Sequence, residues 1–201
     1  MKSKEFKVNV ARRLTSANWL DKLSKDRNVY VRVEVANNKY TSQKTLTWLA
    51  NDDDWLVRSA VAINPNTPRK VLNELANDEH WKVLNALVRN KKVPHSILVR
   101  FSTHENTNIR VGVAGNERTS TAVLSQLAKD NHFDVRYQVA DNINTTSDVL
   151  VYLANDEYDF IRCSVAKHVN TEKRILFALA EDDVPSVRKA AEENLKKRKI
   201  K

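Results

Sequence analysis

A single interval of 26 residues separates successive copies of one short pattern along this chain. The clearest copy runs over residues 64–83 and reads Asn-Pro-Asn-Thr-Pro-Arg-Lys-Val-Leu-Asn-Glu-Leu-Ala-Asn-Asp-Glu-His-Trp-Lys-Val. Its first leucine belongs to a column formed by Leu20, Leu46, Leu72, Leu98, Leu124, Leu150 and Leu176. A fixed period of this length is typical of repeat proteins, whose units pack mainly against their neighbours. We therefore expect one helical repeat domain over residues 15–196, with copies beginning near positions 15, 41, 67, 93, 119, 145 and 171.

Each copy has the spacing of two short helices. Val71, Leu72 and Leu75 share one face of the first helix, and Val83 and Leu87 share one face of the second. A threonine precedes the first helix in most copies, where we expect its hydroxyl to cap the free amides of the first turn: Thr15, Thr41, Thr67, Thr119, Thr145 and Thr171. The chain contains only 2 glycines, so we expect an asparagine column to take the left-handed conformation that often closes helices: Asn38, Asn64, Asn90, Asn116 and Asn142.

The predicted fold is all-α, an α-solenoid (superhelix) of about seven two-helix repeats. Residues 1–14 imitate half a repeat and are expected to form an N-terminal cap, whereas residues 197–201 are expected to form a basic C-terminal tail. Trp19 lies in the column that valine fills in other copies, so we expect it in the core. Trp48 faces away from that column, which favours exposure.

Two charged columns follow the same period, and they consist of Asp26, Asp52, Asp78, Asp130, Asp156 and Asp182, and of Arg32, Arg58, Arg110, Arg136, Arg162 and Arg188. A catalytic group is needed once, whereas residues that recur in every copy stack into rows. We interpret the columns as a structural ladder that pairs aspartate with arginine of the same or an adjacent copy and caps the second helix. The columns fail at Leu84, Val93 and His104, which marks either a grafted functional site or sequence drift.

The net charge of +9 comes from the first half of the chain. Residues 1–100 contain 19 Lys and Arg against 10 Asp and Glu, whereas residues 101–195 contain 10 against 15. A uniformly basic groove for nucleic acid does not fit this distribution.

No apolar run is long enough to cross a bilayer, and the amino terminus lacks the apolar block of a signal peptide. We therefore expect a soluble, cytoplasmic protein without membrane partners, and the single cysteine, Cys163, agrees with a reducing compartment. His80 and His132 share a column but are two repeats apart, so we expect no metal site. Phosphate-binding loops and nucleophile elbows are absent from the sequence, so we expect no cofactor and no small-molecule substrate.

A variable stripe runs along the second helices, at positions one and two helical turns apart. In helical solenoids these helices line the concave face, and aromatic and arginine residues dominate binding hot spots. The predicted partner-binding residues are Trp55, Trp81, Asn85, Arg89, Lys91, Lys92, Phe133 and Tyr137. The alternative is that Trp55 and Trp81 pack as core beneath the preceding loop, because tryptophan is usually largely buried.

The pattern Val-Arg-x-x-Val-Ala-x-Asn-Pro-x-Thr-Pro-x-x-x-Leu-x-x-Leu-Ala-x-Asp, at residues 57–78, resembles the leucine-rich repeat variant family of bacterial proteins. It is also similar to short HEAT-like repeats, whose second helix likewise follows Asp-x-x-x-x-Val-Arg. The resemblance covers residues 15–196 and implies helical-repeat architecture and a scaffold role. The founding family's repeat is usually slightly shorter, and its cysteine-rich iron–sulfur segment has no counterpart here, so no cluster cofactor is implied.

The leading hypothesis is a non-enzymatic scaffold that binds a protein or peptide on the concave face. A second hypothesis is nucleic-acid binding through the basic first half, which the acidic stretch over residues 101–195 opposes. A third, by analogy of fold alone, is a HEAT-like alkylpurine DNA glycosylase, for which no local motif assigns catalytic roles.

Overall fold

The computed structural model describes residues 2–199, with side chains over residues 5–198. Over these residues the chain forms fifteen helices and no strand, which confirms the all-α fold of helical repeats. The helices are α1 (Lys2–Arg13), α2 (Ala17–Leu23), α3 (Val29–Asn37), α4 (Gln43–Leu49), α5 (Trp55–Ile63), α6 (Arg69–Leu75), α7 (Trp81–Val88), α8 (His95–Phe101), α9 (Thr107–Ala114), α10 (Thr121–Leu127), α11 (Phe133–Asp141), α12 (Ser147–Leu153), α13 (Asp159–Lys167), α14 (Lys173–Leu179) and α15 (Pro185–Lys199).

The chain divides into two compact units, Met1–Leu98 and Val99–Lys201, with the boundary inside α8. In the first unit α1, α3, α5 and α7 pack side by side, and in the second unit α9, α11, α13 and α15 do the same. Apart from α1, which precedes the first repeat, these are the second helices of the repeats. The first helices are 7 residues long, shorter than the second helices that follow them.

The apolar columns form the core of each unit, as the spacing predicts. Every member of the leucine column is at most 1% exposed. The facing column on the second helices is 0% exposed throughout and consists of Val31, Val57, Val83, Ile109, Val135, Ile161 and Val187. Burial of such side chains stabilises a fold by about 1.5–3 kcal/mol each, so these two columns contribute much of the stability of each unit.

The recurring threonines are not helix caps, so that prediction was wrong. The buried Thr67 hydroxyl donates to the carbonyl of Val61 at 2.6 Å and closes the C-terminal end of the preceding helix. Thr41, Thr119, Thr145 and Thr171 make the same bond, whereas Thr15 is exposed. The cap position falls one residue later, where Ser42 and Ser120 accept from backbone amides of the first turn.

The asparagines do not take the left-handed conformation, because no non-glycine residue among those described has a positive φ. Asn64 has extended backbone (φ −63°, ψ 129°), and its side-chain amide instead reaches the preceding repeat. There Nδ2 donates to the carbonyls of Ala36 and Asn38, at 2.6 and 3.2 Å, while Oδ1 accepts from the amide of Asn66. The same arrangement recurs at Asn38, Asn90 and Asn142.

Trp19 is 57% exposed and is not part of the core. In the next repeat Thr45 occupies the same column and is covered by α2, where its hydroxyl donates to Asp21 at 3.0 Å. Among the described residues no first helix precedes α2, so nothing equivalent lies over Trp19. Trp48 is 50% exposed, as predicted.

The two ends of the described chain bind the repeats next to them. The carbonyls of Ala11 and Leu14, in and just after α1, accept from Asn38, so α1 takes the part of a second helix. At the other end α15 continues to Lys199, and Arg198 donates to the carbonyls of Thr171 and Val169. Residues 200 and 201 of the predicted basic tail lie outside the described residues.

Candidate interaction surface

The charged columns form a ladder between adjacent repeats. Nε of Arg58 lies 2.7 Å from Oδ2 of Asp78, and Nη2 lies 3.1 Å from Oδ1, which is the two-pronged geometry of a guanidinium on a carboxylate. The same fork joins Arg32 to Asp52, Arg110 to Asp130, Arg136 to Asp156, and Arg162 to Asp182. The structure therefore confirms the ladder as a structural device, which links consecutive repeats wherever both columns keep their charged residue.

The ladder aspartates do not themselves cap the second helices. Oδ1 of Asp52 accepts from the amide of Asp54, and it is Asp54 that caps α5 by accepting from the amide of Leu56. The Arg58 guanidinium completes the turn by donating to the carbonyls of Asp52 and Asp53. Each ladder arginine thus joins the loop before its own helix to the aspartate of the next repeat.

The pKa values of Asp26, Asp78, Asp130 and Asp182, all members of the aspartate column, lie below the ordinary value. Burial acts to raise the pKa of Asp78, but the hydrogen bonds from Arg58 and from the His80 amide outweigh it and leave that pKa below its ordinary value. The Asp130 pKa is lowered by the same balance with Arg110. The Arg162 hydrogen bond is the main cause of the lowered pKa of Asp182, and the Lys7 hydrogen bond is the main cause for Asp26. These carboxylates are therefore charged at neutral pH and are committed to structure.

The residues that break the columns are built into the fold of their own units. His104 keeps one contact of the ladder aspartates, the bond from the amide two residues later, because its Nδ1 accepts from the amide of Asn106 at 3.0 Å. Its ring also meets the edge of Phe101, with centroids 5.6 Å apart. Leu84 and Val93 are buried as apolar residues.

In the first unit the predicted stripe begins with two tryptophans at the start of α5 and α7. Trp55 is half-buried, and its ring stacks on His80 with centroids 4.4 Å apart and planes 2° apart. Trp81 is 39% exposed. Nζ of Lys82 lies 4.5 Å from the centroid of Trp55 and 5.7 Å from that of Trp81, so one cation adjoins both rings. Trp55 is thus partly packed, whereas Trp81 offers much of its ring to solvent.

Asn85 and Arg89 continue the stripe from Trp81 along α7. Nε of Arg89 donates to Oδ1 of Asn85 at 3.4 Å, which places both side chains on the Trp81 side of the helix. Arg89, Lys91 and Lys92 are exposed, and the two lysines follow directly in the turn after α7. We refer to these predicted first-unit residues, together with His80 and Lys82, as the first-unit patch.

In the second unit Phe133 and Tyr137 lie in an aromatic group that also includes Tyr158 and Phe160. Ring centroids are 5.1 Å apart for Phe133 and Tyr158, 5.4 Å for Tyr158 and Phe160, and 5.8 Å for Tyr137 and Phe160. None of these rings is parallel to its neighbour, which is a favourable arrangement for aromatic pairs. We refer to these four residues as the second-unit cluster.

The sequence prediction missed four members of these two groups: His80, Lys82, Tyr158 and Phe160. Their positions carried a signal, because each lies directly beside the first stripe position of a second helix. His80 and Lys82 flank Trp81, and Tyr158 and Phe160 flank Asp159, which lies one repeat after Phe133. Tyr158 lies one repeat after His132, and Phe160 lies one repeat after Asp134, so the aromatic residues of neighbouring copies meet across α11 and α13.

Over the described residues, no group of three or more His, Cys, Asp or Glu side chains is arranged to hold a metal ion. None of the helices there is long and apolar enough to cross a membrane. Open grooves follow the ladder, such as one in the first unit lined by Lys25, Arg27, Arg32, Trp48 and Asp52. Its Arg32 and Asp52 are already paired with each other.

No protein-family model and no curated protein matches this sequence at a significant level. Among solved structures, the chain is similar to a leucine-rich repeat variant with a novel repetitive structural motif, with a TM-score of 0.65 and 25% identity over 94% of this chain and 81% of that chain. It is also similar to the Escherichia coli protein YibA, with a TM-score of 0.63 and 19% identity over 93% of this chain and 84% of that one. The first likeness confirms the predicted resemblance to leucine-rich repeat variants, and the second is a likeness of fold.

Proposed function

We propose that this chain is a non-enzymatic interaction scaffold that binds a protein or peptide segment on the face formed by its second helices. The observation that carries the proposal is the exposure of Trp81 beside Lys82, with the exposed Arg89 about two helical turns further along the same stripe. The apolar columns and the polar ladders already hold the repeats together without these side chains. An exposed aromatic ring flanked by basic groups is a common composition for a binding hot spot.

The chemistry of the first-unit patch favours an acidic segment with an apolar anchor. Trp81 would take the apolar side chain, while Arg89, Lys91 and Lys92 would bind carboxylates or carbonyls. We expect the protein to act in the cytoplasm, where such a scaffold meets protein partners.

The experiment is a peptide-display selection on the purified protein, followed by affinity measurements on variants. The double variant W81A/R89A should weaken the selected peptides by at least about thirtyfold, since a hot-spot truncation costs about 2 kcal/mol or more. The matched control is W48A/R69A, which removes the same exposed residue types from the first helices α4 and α6. Equal weakening by both variants, or none by W81A/R89A with the melting temperature unchanged, would contradict the proposal.

A second candidate, nucleic-acid binding, draws support from the basic excess of the first half and from cations over exposed rings. Nζ of Lys22 lies 4.5 Å from the ring centroid of Trp19, which is 57% exposed. Such rings stack on bases while lysines contact phosphates. Titration of labelled single- and double-stranded DNA and RNA at several salt concentrations tests this candidate. Tight binding at physiological salt with a steep salt dependence would replace the scaffold proposal, and release of alkylated purines would support the glycosylase hypothesis.

A further inference from the structure

The second-unit cluster lies beside the buried apolar seam between α11 and α13. That seam is filled by Val135, Val139, Ile161 and Val165, each of which is 0% exposed. Tyr158 and Phe160 are 36% and 39% exposed, and Phe133 and Tyr137 are half-buried. The aromatic rings are therefore additional to the core of the unit, and two of them face solvent.

Tyr158 occupies a position where other repeats place a helix-capping side chain. Its column holds Asn28, Asp54, His80, Asn106 and His132, and each of these accepts a hydrogen bond from the backbone amide two residues later. The Tyr158 side chain makes no such bond, and the amide of Phe160 donates instead to Oδ1 of Asp159 at 2.9 Å. Val184, the next residue of this column, has no side-chain acceptor either, so the departure at Tyr158 is shared with the repeat that follows it.

The charges around the cluster are mostly acidic. Asp134 and Asp159 lie in the first turns of α11 and α13, Asp141 lies one turn beyond Tyr137, and Glu157 adjoins Tyr158. The Glu157 side chain is 74% exposed even though it pairs with Arg136 at 3.2 Å. The opposing charges on these two helices are Lys167, near the end of α13, and the arginines Arg136 and Arg162, which are paired with ladder aspartates.

One cation already lies over a ring of the cluster. The guanidinium carbon of Arg136 is 5.7 Å from the Tyr158 centroid, and its charge is matched by the fork to Asp156. Aromatic faces attract cations, and nearby carboxylates strengthen that attraction. The same surroundings repel phosphate groups, which makes nucleic acid a poor occupant.

We propose that the second-unit cluster binds a cationic peptide segment, with lysine or arginine side chains over the exposed rings of Tyr158 and Phe160 and beside the surrounding carboxylates. The inference rests on the proposed scaffold function. It adds that the second unit binds cationic peptide segments. Such segments are opposite in charge to the partner of the first-unit patch.

The test uses the full chain and a fluorescein-labelled Gly-Ser peptide with interspersed lysines, read by fluorescence anisotropy. Two further peptides carry acetyl-lysine or glutamate at the lysine positions. The variant is Y158N/F160N, because asparagine already stands in both columns, at Asn106 and Asn108. The control is Y152N/F177N, which alters two aromatic residues that are 53% and 58% exposed on the first helices α12 and α14.

We expect Y158N/F160N to weaken the lysine peptide by about tenfold or more, since the rings supply the cation–π contacts. The same variant should leave the melting temperature nearly unchanged, because asparagine already stands in both columns in another repeat and the rings lie outside the buried seam. The control variant should bind as the parent does, and the acetyl-lysine and glutamate peptides should bind weakly. Unchanged lysine-peptide binding by Y158N/F160N, or equal binding of the glutamate peptide, would overturn the inference.

Two further outcomes would also overturn it. In the first, the parent binds a single-stranded oligonucleotide and Y158N/F160N does not. In the second, the parent self-associates in sedimentation and Y158N/F160N does not, which would assign the cluster to a second copy of the chain. The W81A/R89A variant is measured with the same lysine peptide and should bind it normally. The proposal for the first-unit patch and the proposal for the second-unit cluster are therefore tested by different variants and different peptides, so either can fail alone.

Discussion

Asn64 shows how a single recurring residue joins two repeats. It is 2% exposed, and its amide supplies two donors to carbonyls of the preceding repeat and one acceptor to a following amide. His168 takes this part in a later copy, where Nε2 lies 2.9 Å from the carbonyl of Asn142 and Nδ1 accepts from the amide of Asn170. Because Nδ1 accepts and the carbonyl of Asn142 can only accept, the ring hydrogen is assigned to Nε2. The fold therefore requires a donor and an acceptor at this position, and not asparagine as such.

Replacement of Asn64 by alanine should lower the free energy of unfolding by about 2–4 kcal/mol, because it leaves buried carbonyls without their donor. Urea denaturation followed by circular dichroism measures the change. Asn73→Ala is the matched control, since Asn73 is exposed on α6 and its replacement should change stability by less than about 0.5 kcal/mol. Equal effects of the two variants would show that the Asn64 bonds contribute little.

At the scale of the helix, the ladder explains why a short second helix keeps its position. A helix such as α5 is too short to be stable alone. Its position is held by the buried apolar column on one side and by Arg58 on the other, which reaches both its own loop and the next repeat. The fork geometry is what an arginine supplies and a lysine does not.

Arg58→Lys should therefore lower the free energy of unfolding by about 1–3 kcal/mol even though the charge is kept, because the fork and the carbonyl contacts are lost. Arg69→Lys, on the exposed face of α6, is the control and should be nearly neutral. Both are measured by urea denaturation at neutral pH. A neutral Arg58→Lys would mean that charge alone, and not the fork, stabilises the rung.

Helix ends were the least predictable elements. The threonine and asparagine columns correctly marked the boundaries of helices, but the bonds that these residues make were predicted wrongly. A threonine hydroxyl or an asparagine side chain can accept from a nearby backbone amide or donate to a distant carbonyl, and the sequence does not distinguish the two. Only the position of the neighbouring repeat decides which of the two is within reach.

At the scale of the whole molecule, the ladder makes stability depend on pH. The pKa values of Asp26, Asp78, Asp130 and Asp182 are lowered in the folded chain. A lowered folded pKa contributes stability at pH values above the unfolded pKa of about 4, and that contribution is lost as the pH falls through the folded pKa. The melting temperature should be nearly flat from pH 7 to about 5 and fall steeply below about 4.

The dependence can be assigned with one variant. Asp78→Asn should be less stable than the parent at pH 7, yet lose less stability between about pH 5 and 3, because one titrating rung is gone. Thermal unfolding followed by circular dichroism across this range gives both curves. Parallel curves for parent and variant would show that Asp78 does not contribute to the acid transition.

The period of the sequence was sufficient to predict the helical repeats, their number and the buried columns, because a residue that recurs at a fixed interval meets the same neighbours in every copy. Periodicity also predicted that Arg58 and its counterparts are structural. Tertiary packing alone decided which residues outside the columns come together, such as Lys82 with two tryptophans, and Tyr158 with Phe133. It also decided that Trp19 is exposed. The physical reason is that burial depends on whether a neighbouring element covers a side chain, which an aligned column does not reveal.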